Sequence, residues 1–245
     1  DYTVIATCDA EIRDACENHG ANVVMTRDDH PGAVDRTAEA VTLVGDDLAD
    51  DGLVLMVQGD EVLVAPDMID PVVAAFSSTD APVVNLASPI LDPTMQDDTN
   101  VVKVVRALDD RALFFSRAPI PSRARTPISD MLQQTGVIGF SKTFLSIFLK
   151  LERTPLEIIE GIDMLRTLEH GYAIKIVASG RPTIGVDTPE ELQAAEVILL
   201  VLRDIEIDFL RSHKNLNGLD RLISLIPEAN IETLSMLNRL KEISS

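Results

Sequence analysis

Apolar runs in this chain are short. Leu53 to Val57 is typical, against the ~20 consecutive apolar residues that a membrane helix needs. Nothing at the start reads as a signal peptide, since Asp1 and Tyr2 lead straight into a strand-like run. The expectation is a cytoplasmic protein with no membrane partner. Cysteine is scarce: Cys8 and Cys16 show no metal-ligand spacing and supply no disulfide framework. Basic residues are also few. Against 40 Asp and Glu stand 21 Lys and Arg, a net charge of −19. That excludes nucleic acid as a main partner, because binding it requires a basic surface. A phosphate-bearing ligand would need local Lys, Arg or Mg²⁺ against an unfavourable field. Finally, there is no glycine-rich loop at the start and none of Walker type anywhere. A doubly wound nucleotide-binding fold normally opens with a strand and such a phosphate-cradling loop.

What is present is an alternation of strands and helices. With 245 residues and 46% hydrophobic content, the chain can bury one large α/β core. Strands are predicted over 3–7, 22–26, 53–58, 82–87, 101–108, 112–116, 137–140 and 174–178. Helices are predicted over 10–19, 36–45, 66–76, 142–151 and 155–170, with another opening at Pro189. The central strands lack two-residue alternation, as strands buried on both faces do. The predicted fold is therefore α/β: a mostly parallel, Rossmann-like sheet with helices on both faces. The strands at 101–108 and 112–116 are read as a small second sheet layer, and residues 198–245 as a C-terminal helical extension. In that extension Leu219, Leu222, Ile223 and Ile226 make one helical stripe. Ile231, Leu234, Leu237, Leu240 and Ile243 make another. The stripes fit self-association or packing on the same domain.

Four stretches carry candidate chemistry. Gln58-Gly59-Asp60-Glu61 closes an apolar strand, where open α/β sheets bind ligands. Asp60 is a hard oxygen donor suited to Mg²⁺, and the stretch also reads as a plain polar turn. In Gly185-Val186-Asp187-Thr188-Pro189-Glu190-Glu191-Leu192, Asp187 or Thr188 can cap a helix whose first residue is Pro189. Two strand-end aspartates, Asp60 and Asp187, can share one Mg²⁺ with substrate phosphates. Arg117 sits in the rigid Ser116-Arg117-Ala118-Pro119-Ile120-Pro121 segment, where it can grip a carboxylate or phosphate, or pair with a structural acid. Glu157 and Glu160 are three apart on a first helical turn. They suit sugar hydroxyls or simply the positive helix end.

The ordered series VIAT, MTRDDH, DR-x-AE, VQGDE, N-x-VKVV, ALFFSRAPIP, G-x-x-GF, PLE-x-x-E, LR-x-L and GVDTPEEL resembles the Kdo (3-deoxy-manno-octulosonate) cytidylyltransferase family over residues 1–197. The resemblance implies that CTP and an ulosonic acid react to a CMP-sugar and pyrophosphate, with Mg²⁺ assisting, in lipopolysaccharide biosynthesis. It puts the metal on Asp60 and Asp187, Gln58 and Arg36 near the substrates, Arg117 at an anionic group, and Glu157 and Glu160 at the sugar. A homo-oligomer, most simply a dimer, is expected.

Three departures qualify the resemblance. The family's opening strand and basic phosphate loop have no counterpart, so the chain is expected to start about one βα unit late. Gly32-Ala33-Val34 stands where the family has Ser-Gly-Thr before Asp35-Arg36. Gln134 and Ile138 replace a histidine and a tyrosine that help hold Kdo. Sites built around hydrogen bonds discriminate by them, so a different ulosonic acid or a small phosphonate is expected as an alternative acceptor. The rival class is a non-catalytic sugar-nucleotide-binding relative. A glycosyltransferase would carry an Asp-x-Asp motif, which Gln58-Gly59-Asp60 is not.

Overall fold

The computed structural model describes residues 2–45, 48–125 and 131–180, with 183, 185, 186, 188, 189, 191–193 and 195–199. Asp187 and nearly all of the expected C-terminal extension lie outside the described residues.

The chain opens with β1 (Ile5–Thr7), α1 (Ala10–Asn18) and β2 (Val23–Met25). Asp9 starts α1 by accepting the N–H groups of Glu11 and Ile12 at 2.7 and 3.1 Å. β1 and β2 pair in parallel as a two-stranded sheet. Next come α2 (Ala33–Val44), β3 (Leu53–Val57), α3 (Pro66–Phe76) and β4 (Val83–Pro89). β5 (Lys103–Arg106), β6 (Ala112–Ser116) and β7 (Leu132–Ser141) follow. The described fold closes with α4 (Lys142–Phe148), α5 (Pro155–Glu160), α6 (Asp163–Glu169) and β8 (Ile174–Ala178).

The expected α/β class, with helices on both faces of a central sheet, is what the structure shows. Along β4, Val83 and Ala87 face one core with α2, α4 and α6, while Val84 and Leu86 face the other with Met68 and Val72 of α3. Strand directions differ from the expectation. The six-stranded sheet runs β6-β5-β7-β4-β8, with β3 also on β7. β4 and β8 are parallel, but β7 is antiparallel to β3, β4 and β5. A strand buried on both faces carries no pattern that reveals its direction. β5 and β6 do not form a separate layer either; the first half of β7 ties them into the main sheet. That half, Leu-Gln-Gln-Thr, is too polar to read as a strand. Gln133 is tolerated there because its amide donates to the Ser88 hydroxyl at 2.9 Å and to Thr183 Oγ1 at 3.1 Å.

The single helix expected over 155–170 is two. Gly161 takes φ 65°, the left-handed conformation, and its N–H closes α5 on the Glu157 carbonyl at 2.8 Å.

Candidate active site

The loop after β3 is fixed from two directions. Gln58 N–H donates to the Gly136 carbonyl at 3.0 Å, and Gly136 N–H donates to Glu61 Oε1 at 2.5 Å. Gly136 has no side chain because none fits: an added Cβ would lie 2.6 Å from Gln58 Oε1. On its other side the loop meets the segment before Asp187. Val186 N–H donates to the Asp60 carbonyl at 3.1 Å, and Glu61 forms an antiparallel bridge with Gly185. The backbone of the first expected metal ligand is thus bonded to the residue preceding the second. Among the described residues no cluster of three or more His, Cys, Asp or Glu could hold a metal. A Mg²⁺ site needs only one or two carboxylates, with substrate phosphates and water completing it.

Arg36 lies in the first turn of α2. Its guanidinium donates to Thr26 Oγ1 and to the Arg27 carbonyl, the latter at 3.1 Å. Glu39, one turn on, accepts the Arg27 N–H at 3.0 Å and contacts buried His30. The connection from β2 is thereby folded back on α2, with Arg36 at its mouth.

Arg117 and Glu160 are partners. Ser116 Oγ and Arg117 N–H each donate to the Glu160 carboxylate at 2.9 Å. The Arg117 side chain donates to the carbonyls of Glu160, at 2.7 Å, and Thr99, at 2.8 Å. Behind them Lys103 is fully buried, donating to the carbonyls of Asp98, Val101 and Arg117. Burial pushes its ammonium pKa down. Sequence reasoning assigned Lys103 no role, because a strand lysine normally reads as solvent-facing.

Glu157 is 1% exposed. Arg166 grips it through two nitrogens at 2.6 and 2.8 Å, with Arg153 at 2.9 Å and Thr154 N–H at 3.2 Å completing its shell. Burial alone would push its carboxyl up; these hydrogen bonds outweigh that and hold it below the ordinary range. Its partners are structural, so of the two helix-start glutamates it is Glu160 that lies with Arg117.

Gln134 and Ile138 flank the irregular stretch of β7 that contains Gly136. The Gln134 amide donates to Asn85 Oδ1 at 2.9 Å. Ile138, 3% exposed, packs in the core with Met56 and Val34 rather than standing in an open pocket. The structure brings Gln58 against Gly136 of β7 and Gln134 against Asn85 of β4. Asp163 of α6 reaches the start of α2, another residue with no sequence signal of its own. Burial, and then Asp35 nearby, push its carboxyl up against the opposing hydrogen bond from the Val34 N–H.

A family model described as cytidylyltransferase matches residues 1–176. A 3-deoxy-manno-octulosonate cytidylyltransferase of Syntrophotalea carbinolica is 40% identical over 209 residues, 81% of this chain and 82% of that protein. One of Leptothrix cholodnii is 41% identical over 200 residues, 78% of this chain and 73% of that protein. A solved CMP:2-keto-3-deoxy-manno-octonic acid synthetase, complexed with CTP, superposes with TM-score 0.73 at 27% identity, covering 82% of this chain and 81% of that one. The inositol-1-phosphate CTP transferase of T. maritima shares the fold alone, with TM-score 0.52 at 16% identity over 79% of this chain and 73% of that one.

Proposed function

We infer the reaction from one premise: the chain belongs to the cytidylyltransferase family. It transfers the cytidylyl group of CTP to the anomeric hydroxyl of an ulosonic acid of Kdo type. The sugar oxygen bonds to the α-phosphorus, the bond from that phosphorus to the bridging oxygen breaks, and pyrophosphate leaves with the electron pair. The hydroxyl proton passes to solvent. The observation that carries this reading is the backbone bond from Val186 to Asp60. It sets the segment bearing Asp187 beside a strand-end carboxylate, at the edge where α/β sheets bind ligands.

Asp60 and Asp187 would hold Mg²⁺. When bound, the ion supplies charge neutralisation at the α-phosphate and acidifies a coordinated hydroxyl. The protein's own groups do the positioning. Arg36 faces the nucleotide phosphates, Gln58 and Gln134 line the space beside β7, and Arg117 with Glu160 forms the wall for the sugar acid. Such transfer depends on positioning and electrostatic stabilisation more than on covalent chemistry. Glu157 supports that wall through Arg166.

The acceptor is Kdo or a close relative. Ile138 lies in the core and does not choose between them. No helix among the described residues is long and apolar enough to cross a membrane. A homodimer is expected and is read directly by light scattering.

The test is pyrophosphate release by the full-length protein with CTP, Mg²⁺ and a panel of ulosonic acids and phosphonates. Release with one acid, together with its CMP-sugar, is the expected result. Nucleotide binding with no release from any acid would leave the non-catalytic relative as the correct reading.

A further inference from the structure

Helix α2 begins without a cap of its own. Its N-cap residue is Gly32, which has no side chain to accept an N–H from the first turn. Helix starts leave several such donors orphaned, and a cap oxygen normally takes the N–H two or three residues on.

That oxygen comes from another element. The Asp163 carboxylate occupies the place where a Cβ on Gly32 would stand: Oδ2, Oδ1 and Cγ lie 2.4, 2.7 and 2.8 Å from it. The carboxylate thus stands where a capping side chain on Gly32 would stand, and the Val34 N–H, two residues past Gly32, lowers its pKa against the burial that raises it. Gly32 has φ −159°, extended backbone open to any residue. The glycine is required by space, not by conformation.

Asp163 is placed by the helix it begins. It opens α6 between Ile162, 4% exposed, and Met164, 1% exposed. One turn further along α6, Arg166 Nη1 lies 3.5 Å from Asp35 Oδ1. Two residues of α6 therefore reach the start of α2, one at Gly32 and one at Asp35. Arg36 follows directly.

We propose that Asp163 is a positioning residue: its carboxylate caps α2 from across the fold and so sets the Gly32–Arg36 turn against the substrate site. The proposal rests on the reading of Arg36 as a nucleotide-facing group. The path is short and physical. Moving the carboxylate frees the Val34 N–H, the first turn frays, and Arg36 loses its fixed position. An internal cap such as Ser at 32 would serve the helix equally well but collides with Asp163. Glycine at 32 and a carboxylate at 163 are thus one device shared by two elements.

A double-mutant cycle on the full-length protein tests this. Asp163→Ala removes the cap; Gly32→Ser introduces a self-cap into occupied space. Each should lower the melting temperature by about 2–4 °C and raise KM for CTP roughly five- to tenfold, the scale of one lost N-cap, with kcat changed less. The double variant should recover most of both losses, because the serine then has room to cap. Asp163→Asn keeps an acceptor oxygen and should stay near the wild-type KM. Additive losses in the double variant would overturn the proposal. So would Asp163→Asn failing as badly as Asp163→Ala, since the charge would then act elsewhere than at the cap. If melting recovers but KM stays at the wild-type value throughout, Asp163 is structural only and its positioning role is wrong. Should the wild-type protein turn over no CTP, the functional reading fails and the positioning role with it, while the melting cycle still decides the cap.

Discussion

At the scale of single residues the buried charges are the most consequential features. Glu157 and Arg166 are both nearly inaccessible, and Arg166 also lies over the Phe148 ring. Glu157→Ala would leave Arg166 buried with Asp35 as its remaining close partner. Breaking a buried pair typically costs about 3–5 kcal/mol, so urea denaturation should show a loss of that order; one below about 1 kcal/mol would mean the pair is solvated. The pH signs of two neighbours are opposite. Folding lowers the Glu157 pKa, so its contribution is present above the ordinary glutamate range and is lost as pH falls. Folding raises the Asp163 pKa, so its contribution is present below the ordinary aspartate range and is lost as pH rises through the raised value. Stability measured against pH should therefore lose an acid-side drop in Glu157→Gln. Asp163→Asn should instead lose a decline that sets in as pH rises above the ordinary aspartate range. For the chemistry, Asp60→Asn and Asp187→Asn should each nearly abolish turnover while circular dichroism stays unchanged. Near wild-type activity in either would remove that residue from the metal site.

At the scale of elements, what was legible in the sequence and what was not divide along a physical line. Helix α3 spans the predicted residues because Pro66 fixes its start locally, and β8 and β6 match for a similar reason: short apolar runs between turn residues. Asp60, at the end of an apolar strand, reads as a candidate site residue on the same local grounds. The direction of β7 was not, because it depends on which strands arrive beside it. The Asp163 contact was illegible too, being tertiary; its one trace is a glycine where α2 needs a capping side chain. The break between α5 and α6 lay in between. Gly161 was visible, but a glycine within a periodic stretch reads as tolerated until its φ is known. That break predicts a variant. Gly161→Ala forces an L side chain into the left-handed region, at a cost of about 1 kcal/mol. Its Cβ would come 3.9 Å from Arg117 Nη2. The melting temperature should drop by about 2–4 °C, with KM for the acid rising more than KM for CTP, since the proposed function puts Arg117 and Glu160 at the sugar side. An equal rise in both would place Arg117 elsewhere.

At the scale of the whole molecule the net charge of −19 meets a substrate that is itself polyanionic. The long-range field repels CTP, and on the proposed reading short-range contacts at Arg36 and at a Mg²⁺ held by Asp60 and Asp187 reverse that. These two effects respond differently to salt. The Debye length is about 10 Å at 0.1 M and 30 Å at 0.01 M, so added salt removes the distant repulsion first and weakens close, partly buried contacts less. Association with CTP should therefore speed up as monovalent salt rises from low to physiological ionic strength at saturating Mg²⁺. KM for CTP should fall, by roughly twofold or more if repulsion limits encounter. A protein with a basic approach path behaves the opposite way, because salt there screens attraction. Stopped-flow binding with a fluorescent CTP analogue, at several KCl concentrations, separates the two. An association rate that falls with salt would mean that a local cationic funnel outweighs the acidic surface, and the account of CTP capture by short-range contacts alone would be wrong.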